Sequence, residues 1–153
     1  MGKINVYVMI GLPGAGKDTW IQNNLPECKC IACRDDIRIE LGLCNPGEKM
    51  AGTPEQENLV TGIFNAKLRA YAESGQDIVI NNINLKRWHR NEYKKTLKYF
   101  DVNWIYVVVK APSIEDNIKR RAGQIPADVL YRMQASYQPP TPDEYDEIIE
   151  VNQ

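Results

Sequence analysis

Three things are scarce in this sequence, and each scarcity closes a class of function. No apolar run approaches the roughly 20 residues that a membrane-spanning helix needs. The opening Met1-Gly2-Lys3 leads directly into a strand-like segment, unlike an export signal, so cytoplasmic residence is the expectation. A basic surplus is also missing: 19 Lys and Arg face 20 Asp and Glu, for a net charge of −1. Proteins that wrap duplex nucleic acid usually carry excess cations, so any polynucleotide must be held over a short stretch by a local cluster of Arg and Lys. Histidine is reduced to His89 alone, beside four cysteines, Cys28, Cys30, Cys33 and Cys44. The C-x-C-x2-C run has no fourth ligand close by, which argues against zinc and against a disulfide framework. Repeats, low-complexity tracts and linkers are absent too, so residues 1–153 are expected to form one domain.

What is present alternates between two periods. Lys3 to Ile10 is almost continuously apolar, as a buried central parallel strand is. Further strands are predicted over 28–33, 77–81, 102–109 and 147–151. Helices are predicted over 18–25, 35–43, 54–74, 86–100, from 113, and over 127–137, with a mobile loop over 45–53. Glu115 and Asp116 sit in the first turn of the helix from Ser113, where the dipole favours acids. Strands alternating with helices imply βαβ units and an α/β three-layer sandwich around a mainly parallel sheet.

The first strand runs into Gly11-Leu12-Pro13-Gly14-Ala15-Gly16-Lys17, which fits G-x-x-x-x-G-K in the strand–loop–helix context that gives the motif its meaning. Glycines let successive backbone N–H groups curl around a phosphate, and the helix start adds partial positive charge. Lys17 would reach the β- and γ-phosphates of a nucleoside triphosphate, with Gly11, Pro13, Gly14, Ala15 and Gly16 as the cradle. The Ser or Thr that usually follows the lysine, and ligates Mg²⁺, is replaced by Asp18, with Thr19 next. Asp18 and Thr19 are the candidate metal-side groups; a helix cap is the simpler role for Asp18.

Arg34-Asp35-Asp36-Ile37-Arg38 follows the second strand. A carboxylate there can accept the proton of an attacking hydroxyl, or it can simply cap a helix, with Arg38 as its ion-pair partner three residues on. The order of several stretches resembles the polynucleotide 5′-hydroxyl kinase family, specifically a phage-type kinase domain. They are Gly11 to Trp20, Arg34 to Arg38, Asn82-Ile83-Asn84-Leu85 with Arg90 beyond, Asn117-Ile118-Lys119-Arg120, and Ile125 to Leu130 with Met133. Pro139 to Glu144 also looks like a stretch of related bacterial kinases. The resemblance implies a P-loop kinase with a small helical lid near 117–127, ATP and Mg²⁺ as cofactors, and a 5′-hydroxyl DNA or RNA end as acceptor. Asp35 would be the general base and Arg38 would hold the 3′-phosphate of the terminal nucleotide. Arg120, with Arg121 beside it, would meet the donor phosphates. Arg34, Asn82, Asn84 and Arg90 would line the acceptor side. A phage-encoded chain would reside in host cytoplasm.

Two departures accompany that likeness. The family carries an acid where this chain has Asn82, and Asp18 is expected to compensate at the metal. Asp116 stands where the phage enzyme has a second lid arginine. The other basic residues of 86–100 (Lys86, Arg87, Lys94, Lys95 and Lys98) read as a solvated face, Trp88 and Trp104 as core, and His89 as a surface residue without a partner. Competing readings are a small-molecule kinase for a nucleoside, nucleotide or sugar-like acceptor, and a nucleotide-binding module without turnover.

Overall fold

The computed structural model describes residues 2–45 and 52–153; most of the loop expected over 45–53 lies outside them. Its elements run β1 Ile4–Ile10, α1 Lys17–Asn24, β2 Ile31–Ala32, α2 Arg34–Glu40, α3 Pro54–Glu73, β3 Ile78–Ile80, α4 Arg87–Thr96, β4 Val102–Lys110, α5 Ile114–Arg120, α6 Ala127–Ala135 and β5 Glu147–Asn152. The strands form one five-stranded sheet in the order β2-β3-β1-β4-β5, with every pairing parallel. This is the α/β sandwich of a P-loop protein. In such sheets ligands gather at the carboxyl edge, where strands end and helices begin.

The apolar runs explain the layers. In β1, Val6, Val8 and Ile10 face one helical layer, joined by Phe64 and Leu68 of α3 and Leu97 beyond α4. Met9 faces the opposite layer with Ile21 of α1, Val79, Val107 and Val109. Trp20 packs against that second cluster, as its place in α1 predicts. Helix α3 starts where its residues dictate. Thr53 accepts from Gln56 N–H, Gln56 answers to Thr53 N–H, and Pro54 opens the first turn. β2 is shorter than predicted, because Cys28 and Cys30 only lead toward this edge strand, although Cys30 C=O still accepts from Val79 N–H.

A buried polar tie crosses the carboxyl edge. Arg90 is fully buried, and its guanidinium donates to Glu144, to the carbonyls of Asn84 and Leu85, and to that of Gln138. The expected acceptor-side role of Arg90 is thereby corrected. Burial and five hydrogen bonds leave it no donor for a substrate, and it locks the turn at Pro142–Glu144 onto α4. Burial of Glu144 requires this partner.

Candidate active site

The phosphate loop is shaped by close approaches. A Cβ at Gly11 would stand 2.6 Å from Val109 C=O, so β4 admits only glycine there. Gly14 has φ 80, and a Cβ on it would meet the side chains of Arg121 and Arg120 and the carbonyl of Asn117 at 3.2–3.3 Å. The 117–127 segment thus rests directly on the loop. Asn117, buried, donates to Pro13 C=O at 3.0 Å, and Arg120 donates to Gly14 C=O at 2.9 Å. Gln153 bridges the two parts, accepting from Arg120 at 3.1 Å and donating to Ala15 C=O. The Lys17 ammonium donates to the carbonyls of Gly11 (2.7 Å) and Leu12 (3.1 Å).

Across a cleft of about 1000 Å³ lies the acidic–arginine block. Lys17, Asp18, Thr19, Asp35, Asn82, Arg120 and Arg121 all line this one space. Arg38 donates to Asp35 Oδ1 at 2.8 Å, as the three-residue spacing predicts. Its other side grips Glu57 of α3 through Nε–Oε2 at 3.0 Å and Nη2–Oε1 at 2.5 Å. Arg34 reaches the same carboxylate at 3.3 Å, and Gly52 N–H donates to it at 3.0 Å. The Arg38 hydrogen bonds hold the Glu57 carboxyl at about 2, well below its ordinary 4.5, and the pair raises the Arg38 guanidinium in turn.

Sequence reasoning missed Glu57 because it lies 19 residues beyond Arg38 on another helix; only its place in the first turn of α3 marks it. Asn81 was also missed. Its amide donates to Asp18 Oδ1 at 2.7 Å. Asn82, expected on the acceptor side, takes the Arg34 N–H at 3.0 Å and donates to Tyr93 Oη at 3.0 Å. Asn84 is buried at φ 51, with its amide on Met9 C=O and its Oδ1 accepting from Tyr93 at 2.5 Å. Asn82 lines the cleft while tying α2 to α4, whereas burial removes Asn84 from contact with any acceptor. Burial also pushes the Tyr93 hydroxyl up to about 12, so it stays protonated and can donate. Asp116 takes Ser113 Oγ–H at 2.8 Å and receives the matching cap at its own N–H, which is why an acid suits that position.

Two features suit a phosphorylated nucleotide. The Nε–H of Arg121 is buried without a hydrogen-bond partner, beside the loop. The Arg120 side chain reaches the loop rim from the opposite segment. For a metal, the described residues hold no group of three or more His, Cys, Asp or Glu. One exposed carboxylate, Asp18, and the Thr19 hydroxyl match the sparse protein ligation that Mg²⁺ accepts when phosphates and waters complete its shell.

The family model AAA_33, described as an AAA domain, matches residues 6–140. The chain belongs to this family of P-loop domains. No curated protein matches it in sequence. Its fold is shared with a chain of the Pnkp1/Rnl/Hen1 RNA repair complex (TM-score 0.72, 17% identity, 89% of this chain and 44% of that one). Two further likenesses cover nearly all of this AAA_33 chain. A sugar kinase from Janibacter sp. HTCC2649 gives a TM-score of 0.60 at 21% identity, over 99% of this chain and 86% of that one. The Mycobacterium tuberculosis APS kinase CysC, in complex with AMPPNP and APS, gives 0.60 at 17%, over 98% and 90%. The chain spans less than half the length of the RNA-repair chain. These likenesses show a shared α/β P-loop fold.

Proposed function

We propose that this protein transfers the γ-phosphoryl group of ATP to the 5′-hydroxyl end of a polynucleotide. The observation that carries the reading is the shared cleft: the phosphate loop with Lys17 forms one wall and the Asp35 carboxylate, fixed by Arg38, opens on the same space. Asp35 takes the proton of the 5′-hydroxyl as its oxygen bonds to the γ-phosphorus, and the bond from that phosphorus to the β,γ-bridging oxygen breaks, releasing ADP. Lys17 and Arg120 meet the charge that builds on the transferring group, and an arginine fork suits phosphate oxygens. Residues 117–127 act as the lid. Asp18 and Thr19 would hold Mg²⁺, which would neutralise charge on the phosphates.

Incubation with Mg²⁺, γ-labelled ATP and 5′-hydroxyl DNA and RNA oligonucleotides tests the reading. Label should pass to the 5′ end and fall at least about 100-fold in Asp35→Ala, the usual scale for loss of a general base. Transfer to no oligonucleotide would overturn it.

A second reading draws on Glu57. Its carboxylate already fills the fork of Arg38 and touches Arg34, so an acceptor phosphate has to displace it. A phosphate-free small acceptor, phosphorylated at a hydroxyl held by Asp35, would leave that pair intact. Acceptance of a free nucleoside as readily as its 3′-phosphate would favour this alternative.

A further inference from the structure

The amino-terminal end of α4 carries a surface that the catalytic cleft does not use. Trp88 was expected in the core, yet it is 58% exposed. It is stacked on His89, ring centroids 3.9 Å apart and planes 38° from parallel. Lys86 and Arg87 precede it, both exposed. Lys86 forms no ion pair among the described residues, and Arg87, which leans on Glu144 at 3.3 Å, keeps a side chain 45% exposed. His89 is half-buried; burial and the nearby cations Lys86, Arg34 and Arg90 pull its pKa down, so it is a neutral ring at neutral pH. No acid lies between Lys86 and Asn91. The patch adjoins the acceptor side of the cleft. Arg34, at the start of α2, is one of the cations whose charge reaches His89, and Asn82 ties that same start to α4 by taking the Arg34 N–H and donating to Tyr93.

We infer that Trp88, backed by His89 and flanked by Lys86 and Arg87, is a platform for single-stranded nucleic acid. It stacks a base downstream of the 5′-terminal nucleotide while the two cations meet the adjoining phosphates. An exposed indole beside the unpaired Lys86 and the half-exposed Arg87, which shares Glu144 with the buried Arg90, matches the stacked bases and charged backbone of such a strand. A protein partner would call for a broader apolar patch than one ring. The inference rests on the reading of Asp35 as the group that faces the 5′-hydroxyl, because that places the strand's first nucleotide beside Arg34. It also answers the −1 net charge: the grip is local, on one helix start.

The experiment measures binding of a fluorescently labelled 5′-hydroxyl hexanucleotide to the full chain by anisotropy, with adenosine 3′-phosphate as competitor, in wild type, Trp88→Ala and Trp88→Phe. The expected result is hexanucleotide binding at least about 10-fold tighter than the mononucleotide, weakened about 10- to 100-fold by Trp88→Ala and largely kept by Trp88→Phe. Circular dichroism confirms that Trp88→Ala is folded. Equal binding by Trp88→Ala and wild type would overturn the platform, as would no advantage of the hexanucleotide over the mononucleotide. Trp88-dependent binding without phosphate transfer would keep the platform and sink the kinase reading. Transfer indifferent to Trp88 would do the reverse.

Discussion

Asp35 and Asp18 illustrate how single side chains divide the work of this cleft. Asp35 takes its orientation from Arg38, whose far side is anchored by Glu57. A lysine at 38 cannot span both carboxylates with one point charge. Arg38→Lys should therefore reduce kcat about 10- to 100-fold with little change in the KM for ATP, measured by steady-state kinetics. Asp18 and Asn82 are separable in a different way. Asp18→Ala should raise the Mg²⁺ concentration giving half-maximal rate, while Asn82→Ala should lower kcat without moving that midpoint, because Asn82 serves Arg34 and Tyr93. An identical Mg²⁺ dependence in both would contradict the assignment of Asp18 to the metal. Glu57 carries a pH signature. Its folded carboxyl sits at about 2 against an ordinary 4.5. Its stabilisation is thus complete above about pH 4.5 and is lost as pH falls toward 2. Thermal denaturation between pH 5 and 2 should fall less steeply in Glu57→Gln than in wild type.

At the scale of elements, local chemistry decides boundaries and long-range polar contacts decide fates. The start of α3 was readable because Thr53, Pro54 and Gln56 satisfy the first N–H groups within four residues. Thr53→Ala should cost about 1 kcal/mol, visible as a Tm lower by about 2–4 °C. The phosphate loop was equally legible, since strand, glycines and lysine are contiguous. The basic face of α4 was not. Arg90 and Trp88 are two residues apart, so spacing alone cannot say which one turns inward; the answer lies in Glu144, 54 residues away. Arg90→Met should destabilise the protein by about 3–5 kcal/mol in urea unfolding, by stranding a buried carboxylate. Pairing it with Glu144→Leu should recover much of that loss. The short β2 was overpredicted because apolar content cannot reveal how far an edge strand keeps its neighbour.

For the whole molecule, the order β2-β3-β1-β4-β5 brings the ends of β1 and β3 and the starts of α1, α2 and α4 to one edge. Alternating periods in the sequence predicted that sandwich; which residues meet across the edge required the fold, because Asp18 and Asn81 are 63 positions apart. If Lys86 and Arg87 meet two phosphates of a strand as proposed, this near-neutral protein should show a shallow salt response. A plot of log K for a 5′-hydroxyl oligonucleotide against log salt should have a slope of about −1.4. A slope of −6 or steeper would mean a footprint far larger than the α4 start provides.

Asn84 has a mechanical corollary. One residue couples β1, which leads into the phosphate loop, to α4, through Met9, Tyr93 and Arg90. The bottom of the cleft therefore behaves as a keystone, and any breathing on substrate entry must be confined to the upper margins. Amide protons of Met9 and Gly11 should then exchange with solvent only through global unfolding, while those of Gln124 and Ile125, bonded only to Arg121 C=O, should exchange through local opening.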